Sequence, residues 1–170
     1  MNYRSKRGAD MSPVKKLVLS AMFLALSLAL PLLTGQIPEV GSMLLPMHIP
    51  VLLCGMIVGG PWGAAVGFVA PLLRSFLFSM PPLYPVAVSM AFELAAYGFV
   101  SGFFYRRLRE KGVAGIYVSL VAAMLLGRVV WGISRWIMLA FGTQFSGALF
   151  LAGGFTGAIP GIILQLILIP

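Results

Sequence analysis

Residues 113–141 read VAGIYVSLVAAMLLGRVVWGISRWIMLAF, an apolar stretch that contains only two charged residues, Arg128 and Arg135. A helix needs about 20 apolar residues to cross a bilayer, so this stretch predicts a membrane-spanning helix. The whole chain has the same character, because 60% of its 170 residues are hydrophobic and only 9% are charged. An ordinary soluble domain carries about 25% charged residues. The composition therefore argues against a soluble enzyme, a nucleic-acid-binding module or a disordered chain, and predicts an all-α integral membrane protein.

Proline, glycine and short polar loops divide the rest of the chain into further apolar runs. Together with the stretch above, which is the fifth in order, they predict helices over residues 14–33, 47–60, 61–80, 84–107 and 148–170. The chain therefore divides into a basic N-terminal segment, residues 1–13, and a membrane domain, residues 14–170. We expect a six-transmembrane-helix bundle with short loops, a multi-pass protein of the cell membrane.

The distribution of positive charge predicts the orientation of this bundle. Nine Lys and Arg residues lie in two segments that six crossings place on the same side of the membrane: Arg4, Lys6, Arg7, Lys15, Lys16, Arg106, Arg107, Arg109 and Lys111. The loops of the opposite side, 34–46, 79–84 and 142–147, contain none. Cytoplasmic loops carry the excess of Lys and Arg in membrane proteins, so both termini are expected in the cytoplasm. Topology thus explains the net charge of +8, and no nucleic-acid partner is expected.

Small residues recur at four-residue spacing in several predicted helices, a spacing that lets helix backbones approach closely in lipid. They are Ala21, Ala25 and Ala29 in helix 1, Gly55, Gly59, Gly63 and Gly67 across helices 2 and 3, and Gly98 and Gly102 in helix 4. We expect such stripes to pack helices within the bundle. The helix 1 stripe has a second interpretation, as a docking face for another membrane subunit, and spacing alone does not decide between the two.

Away from the helix ends that the topology explains, four charged residues remain inside the predicted spans: Arg74, Glu93, Arg128 and Arg135. A charge at membrane depth costs at least about 2.5–3.5 kcal/mol, so it needs a partner, a cavity or access to the interface, and it indicates function by default. Arg128 and Arg135 are seven residues apart, which is about 700° of helical rotation. They therefore share one face of helix 5, with Trp131 between them.

Further polar residues flank these charges on the predicted outer side. They are Tyr97 on the Glu93 face of helix 4, Gln36 and Glu39 in the loop after helix 1, His48 at the head of helix 2 and Gln144 after helix 5. With the three arginines they predict an outward-facing substrate pocket that has an excess of positive charge and Trp131 as an apolar wall. Such a pocket suits a small anion.

Other interpretations of these residues stay open. Arg74 and Arg135 would extend to outer headgroups, and Glu93 would pair with Arg128 for structural reasons alone. His48 follows a proline at an interface and is more typical of a helix end than of a metal ligand, since a metal site needs several donors. Gln165 is interpreted as bonding to backbone or water.

Motifs of catalysis are missing from the sequence. It contains no G-x-x-x-x-G-K-[ST] phosphate loop, no H-E-x-x-H and no nucleophile elbow. Its single cysteine, Cys54, and single histidine, His48, exclude an internal disulfide and a Cys- or His-rich metal site. We therefore expect no enzyme, no metal and no cofactor in this chain, and predict a protein that binds a solute for uptake.

Several motifs resemble those of the substrate-binding S component of an energy-coupling factor (ECF) vitamin transporter. They are the A-x-x-x-A pattern of Ala21 and Ala25 after a basic start, MHIPVLLCG at 47–55 leading to GPWG at 60–63, PLLR at 71–74, MPP at 80–82, Glu93-Leu94 with Tyr97-Gly98, and GAIPG at 157–161. The resemblance covers residues 14–170. It is specific for the family and weak for the vitamin.

This resemblance implies a six-helix fold that holds its substrate near the outer face, between helices 4–6 and the loops. It also implies that Ala21, Ala25 and Ala29 contact a transmembrane coupling subunit, whose two ATPase partners use ATP to drive import. The three arginines favour a carboxylate- or phosphate-bearing vitamin, pantothenate first and then folate, with neutral riboflavin still open. Two other classes of function also stay open: a secondary transporter of a small organic solute that works alone, and a membrane assembly factor without a small ligand.

Overall fold

The computed structural model of the chain describes residues 11–33, 45–140 and 159–170. Within these ranges it forms six α-helices: α1 (Pro13–Leu33), α2 (His48–Ile57), α3 (Gly60–Phe78), α4 (Val88–Leu108), α5 (Val113–Leu139) and α6 (Ile159–Leu168). A π-helical turn, Leu83–Ala87, precedes α4, and a 3-10 turn, Arg109–Lys111, joins α4 to α5. The described ranges contain no strand, and the all-α prediction is confirmed for them.

Four segments of the described chain are long and apolar enough to cross a membrane: Pro13–Leu32, Gly60–Phe78, Leu83–Lys111 and Val113–Leu139. In contrast, α2 and α6 have ten residues each, about half of what a crossing requires. The predicted second helix, 47–60, is therefore shorter in the structure, and residues 148–158 of the predicted sixth helix lie outside the described residues. The count of six crossings and the cytoplasmic position of both termini stay predictions.

The link between α2 and α3 is a tight reversal built on glycine and proline. Gly59 has a φ of 129°, a conformation that residues with a side chain rarely adopt. Pro61 lies in the first turn of α3, where its missing amide hydrogen has no helical partner to lose. The amides of Val58 and Gly59 both donate to the carbonyl of Cys54, at 2.9 and 3.2 Å. Arg106, near the end of α4, donates from Nη2 to the carbonyl of Val58 at 3.4 Å, so this link is tied to α4.

Glycines bring the backbones of α2, α3 and α4 into direct contact. A Cβ atom added to Gly63 would lie 2.6 Å from the Cα of Gly55 and 2.7 Å from the carbonyl oxygen of Gly98. A Cβ atom added to Gly102 would lie 2.7 Å from the Cα of Gly60. The predicted packing through glycine stripes is confirmed for these three helices. As a result α4 lies at the centre, packed against α2, α3 and α5.

Helix α1 lies at the edge of the bundle and contacts α2 and α3. Its buried side carries Phe23 and Ser27, whereas Ala21, Ala25 and Ala29 are all exposed. Only 17% of the most apolar part of α1 is buried inside the protein, against 39–50% for the other three spans. The expectation that the alanine stripe packs inside the bundle is therefore wrong in the described structure, because α1 turns its opposite face inward.

Replacing Gly63 by Ala should destabilise the protein, because the added methyl group would meet backbone atoms of both Gly55 and Gly98. Overpacking of this kind costs about 1–3 kcal/mol, which should appear as a lower melting temperature of the detergent-solubilised protein. Ala65→Val adds more volume on the exposed side of the same helix and should leave the melting temperature unchanged. Equal shifts for the two variants would contradict the close contact at Gly63.

Candidate functional site

Four polar side chains lie together where α2, α4 and α5 meet, and we name them the buried polar cluster: His48, Glu93, Tyr97 and Arg128. Their exposed fractions are 1%, 2%, 1% and 4%. Arg128 Nη1 lies 2.9 Å from Glu93 Oε1, and His48 Nε2 lies 3.7 Å from the same oxygen. The Tyr97 ring meets the His48 ring edge to face, with 5.0 Å between centroids, and its side chain interacts with both Glu93 and Arg128. The structure thus brings together, from three helices, four residues that the sequence predicts as substrate-binding.

Local sequence explains how the helices place these side chains. Glu93 and Tyr97 are four residues apart on α4, and residues at that spacing lie one above the other on a helix face. The Tyr97 ring fits against α5 because Gly127 has no side chain: a Cβ atom there would lie 2.8 Å from ring atoms Cδ2 and Cε2. The sequence analysis did not select Gly127. Its position directly before Arg128, an arginine inside a predicted span, was the signal that could have identified it. His48 is the first residue of α2, and its amide donates to the carbonyl of Leu45 at 3.0 Å.

The ion pair between Glu93 and Arg128 controls the electrostatics of the cluster. Glu93 is the only carboxylate that is buried in the described part of the chain. Each charge compensates the other, which matters because an isolated ion in the interior is far more costly than a pair. The formal charges of Glu93 and Arg128 cancel within the pair. The excess of positive charge in the substrate pocket stays a prediction.

The cluster nevertheless keeps hydrogen-bonding capacity that the described protein does not use. Both ring nitrogens of His48, and Nε and Nη2 of Arg128, are buried and have no hydrogen-bond partner among the described residues. A buried polar atom left without a partner costs about 1–3 kcal/mol, and native proteins contain few of them. The 3.7 Å between His48 Nε2 and Glu93 Oε1 is too long for a direct hydrogen bond. The cluster is therefore suited to receive a polar molecule.

The other two arginines have different partners. Arg74 is only 4% exposed, and its Nη1 donates to the carbonyl of Leu28 in α1 at 3.0 Å. Its guanidinium carbon also lies 5.2 Å from the centre of the Phe78 ring. Arg74 thus connects α3 to α1 and does not extend to the surface. Its predicted contact with a substrate stays a prediction.

Arg135 lies two helical turns beyond Arg128 on α5. Its guanidinium carbon is 5.7 Å from the centre of the Trp131 ring, a cation–π contact. Its Nε is buried and has no hydrogen-bond partner in the described ranges. Arg135 and Trp131 therefore form a second position where a guanidinium donor remains available beside an aromatic wall.

Three predicted site residues, Gln36, Glu39 and Gln144, lie outside the described residues, and their part in the site stays a prediction. The described ranges contain no group of three or more His, Cys, Asp or Glu side chains that would hold a metal ion. Gln165 of α6 is a further buried polar residue, which the sequence did not assign to the site. Neither its amide oxygen nor its amide nitrogen has a hydrogen-bond partner among the described residues.

Comparison with protein families gives one result. The family model described as ECF transporter, substrate-specific component, matches residues 15–170, which include all of α2 to α6 and nearly all of α1. This match confirms the resemblance predicted from the sequence motifs. Comparisons with curated proteins and with solved structures find no significant match.

Glu93→Gln should destabilise the protein, because it leaves the charge of Arg128 buried without its counterion. Breaking one side of a buried pair costs about 3–5 kcal/mol, whereas replacing both partners by apolar residues is often neutral. The double variant Glu93→Leu/Arg128→Met, which replaces both partners by apolar residues, should therefore melt at a higher temperature than Glu93→Gln alone. Glu110→Gln, at an exposed carboxylate, is the matched control. If Glu93→Gln melts at the same temperature as wild type, the ion pair contributes nothing to the stability of the fold.

Proposed function

Because the chain belongs to the family of substrate-specific components of ECF transporters, we propose that it captures a water-soluble vitamin or related micronutrient outside the cell and delivers it for import. It is a membrane-embedded uptake component. The energy comes from partners, a transmembrane coupling subunit and two ATPase subunits that use ATP, and the chain itself uses no cofactor. The buried polar cluster is the centre of the substrate site.

The unused hydrogen-bonding atoms of His48 and Arg128 are the observation that carries this proposal. They are buried in an apolar bundle, where an unsatisfied donor is costly. A bound solute would supply the missing acceptors and offset that cost. Arg128 would donate from Nε and Nη2, while Glu93 holds its guanidinium in place from the other side. Tyr97 and His48 would contact the solute with their ring edges.

The charge of the substrate is the finer part of the proposal. Three intramembrane arginines favour an anionic vitamin, pantothenate first and then folate, since a guanidinium fork matches a carboxylate or phosphate. The available donor of Arg135 beside Trp131 supports an anion. The neutralisation of Arg128 by Glu93 supports a neutral vitamin such as riboflavin as the second candidate. Both candidates would occupy the same cluster.

The alanine stripe of α1 is proposed as the contact with the coupling subunit. Ala21, Ala25 and Ala29 are exposed on one side of the helix, so a partner helix has access to them. Small residues at four-residue spacing allow two helices in lipid to approach closely. The large apolar side chains Leu17 and Met22 nearby are exposed as well. The stripe and the buried polar cluster are on different helices, so binding and coupling can be tested separately.

The first test is identification of the solute. Protein purified in mild detergent from cells grown on rich medium should contain a stoichiometric vitamin that mass spectrometry identifies after denaturation. A secondary transporter that works alone would also bind a solute, but would transport it in vesicles without ATPase partners. Protein that is always empty, and that no vitamin stabilises against heat, would favour an assembly factor and contradict the proposal.

Substitution of the arginines should then weaken binding in a defined order. Arg→Lys keeps the charge and loses the planar fork, and Arg→Gln loses both. At a position that contacts the substrate, Arg→Gln should cost on the order of 1.5–3 kcal/mol of binding free energy, with Arg→Lys in between. Calorimetric titration of the identified vitamin measures this for Arg74, Arg128 and Arg135, with exposed Arg109→Gln as the control. Unchanged affinity at all three positions in folded protein would remove the arginines from the site.

A bulky residue on the α1 stripe should block coupling without affecting binding. Ala25→Trp would prevent a partner helix from approaching, while the exposed position tolerates the side chain in the isolated protein. We expect normal vitamin affinity and loss of ATP-dependent uptake in vesicles that contain the partner subunits. Ala65→Trp, on the exposed side of α3, is the matched control. Loss of vitamin binding by Ala25→Trp, or normal uptake, would contradict this role of the stripe.

A further inference from the structure

Gln165 is a buried amide for which neither the fold nor the buried polar cluster accounts. It is 1% exposed, and both Oε1 and Nε2 have no hydrogen-bond partner among the described residues. A glutamine amide has two donors and an acceptor oxygen. Leaving all of them unused in an apolar interior is costly, and native proteins contain few such groups. A leucine or methionine at this position would avoid that cost, so the amide needs another explanation.

The position of Gln165 on α6 shows what it faces. Ile162, three residues before Gln165, lies on the same helix face. Ile169 directly follows the end of α6, and its amide donates to the carbonyl of Gln165 at 3.1 Å. Ile162 and Ile169 pack against the apolar cluster formed by Leu52, Met56, Tyr97, Leu120, Ala123 and Met124. Tyr97 belongs both to this apolar cluster and to the buried polar cluster. The apolar cluster against which this side of α6 packs therefore shares one residue, Tyr97, with the buried polar cluster.

We propose that Gln165 binds the transported solute through a pair of adjacent groups, one donor and one acceptor. The inference rests on the proposed function, because it places the amide in the same substrate site. The carbonyl and amino groups of a glutamine lie side by side and bind two neighbouring atoms at once, as they do on the edge of adenine. The matching chemistry is a cyclic or primary amide, in which N–H and C=O point the same way.

This chemistry divides the candidate vitamins. Folate and riboflavin both contain ring systems with a cyclic amide edge, and their flat rings suit a cluster lined by leucine, methionine and tyrosine. The amide of pantothenate is an ordinary secondary amide, which is trans, so its N–H and C=O point in opposite directions. Gln165 therefore selects for a ring with a cyclic amide edge, and on this observation folate and riboflavin rank above pantothenate, which the arginines alone place first.

Gln165→Met tests the inference because it keeps the size of the side chain and removes both polar atoms. The protein is prepared free of vitamin, and its melting temperature is measured beside wild type and beside Ile167→Met, a control on the exposed side of α6. Affinities for riboflavin, folate and pantothenate are then measured by calorimetric titration. We expect the vitamin-free variant to melt at the same or a higher temperature. We also expect its affinity for the vitamin with a cyclic amide edge to fall about tenfold.

Two results would overturn the inference. A lower melting temperature of vitamin-free Gln165→Met would show that the amide already has a partner in the resting protein, such as a trapped water. Unchanged affinity for a vitamin that wild type binds would remove Gln165 from the site, and so would strong binding of pantothenate alone. Failure of wild type to bind any of the three vitamins would overturn the choice of a cyclic amide edge among them. The proposed function would fail only if the purified protein is also always empty and no vitamin stabilises it.

Discussion

The close contact of three helix backbones at Gly55, Gly63 and Gly98 is the constraint on which the remaining structure depends. In hydrocarbon, apolar side chains gain little by leaving lipid for protein, so helices associate through close packing and hydrogen bonds. Gly63 of α3 lies directly against the backbones of Gly55 in α2 and Gly98 in α4. The three helix backbones are therefore in direct contact at this level. This contact places α4 at the centre, and α4 carries two of the four side chains of the buried polar cluster.

The ion pair between Glu93 and Arg128 follows from that central position. The carboxylate of Glu93 is only 2% exposed, so it requires a counterion from a neighbour. Arg128 of α5 supplies it at 2.9 Å, and Gly127 allows the Tyr97 ring to lie alongside. The pair balances charge, yet two guanidinium nitrogens and both imidazole nitrogens have no partner in the described chain. The same residues thus stabilise the bundle and remain able to bind a solute.

Helix α1 has a different relation to the bundle. It contacts α2 and α3, it accepts a hydrogen bond from Arg74 at the carbonyl of Leu28, and most of its apolar surface is exposed. Its alanine stripe lies on the exposed side. The stripe proposed for docking and the cluster proposed for the substrate thus lie on different helices.

Local properties of the sequence determined the all-α membrane class, the approximate helix ranges and the four charges within them, because length and apolar content decide whether a helix suits a bilayer. They also identified His48, Glu93, Tyr97 and Arg128 as candidates, since polar groups are costly at membrane depth. Tertiary structure confirmed the pairing of Glu93 with Arg128, which the sequence left as one alternative. It alone decided that Arg74 bonds to α1 and that Gln165 is buried without a partner among the described residues. Four-residue spacing is identical for a stripe packed inside and one left exposed, so it did not distinguish the glycines from the alanines of α1. Which helix faces meet depends on contacts between residues far apart in the chain, and the pattern within one helix does not contain that information.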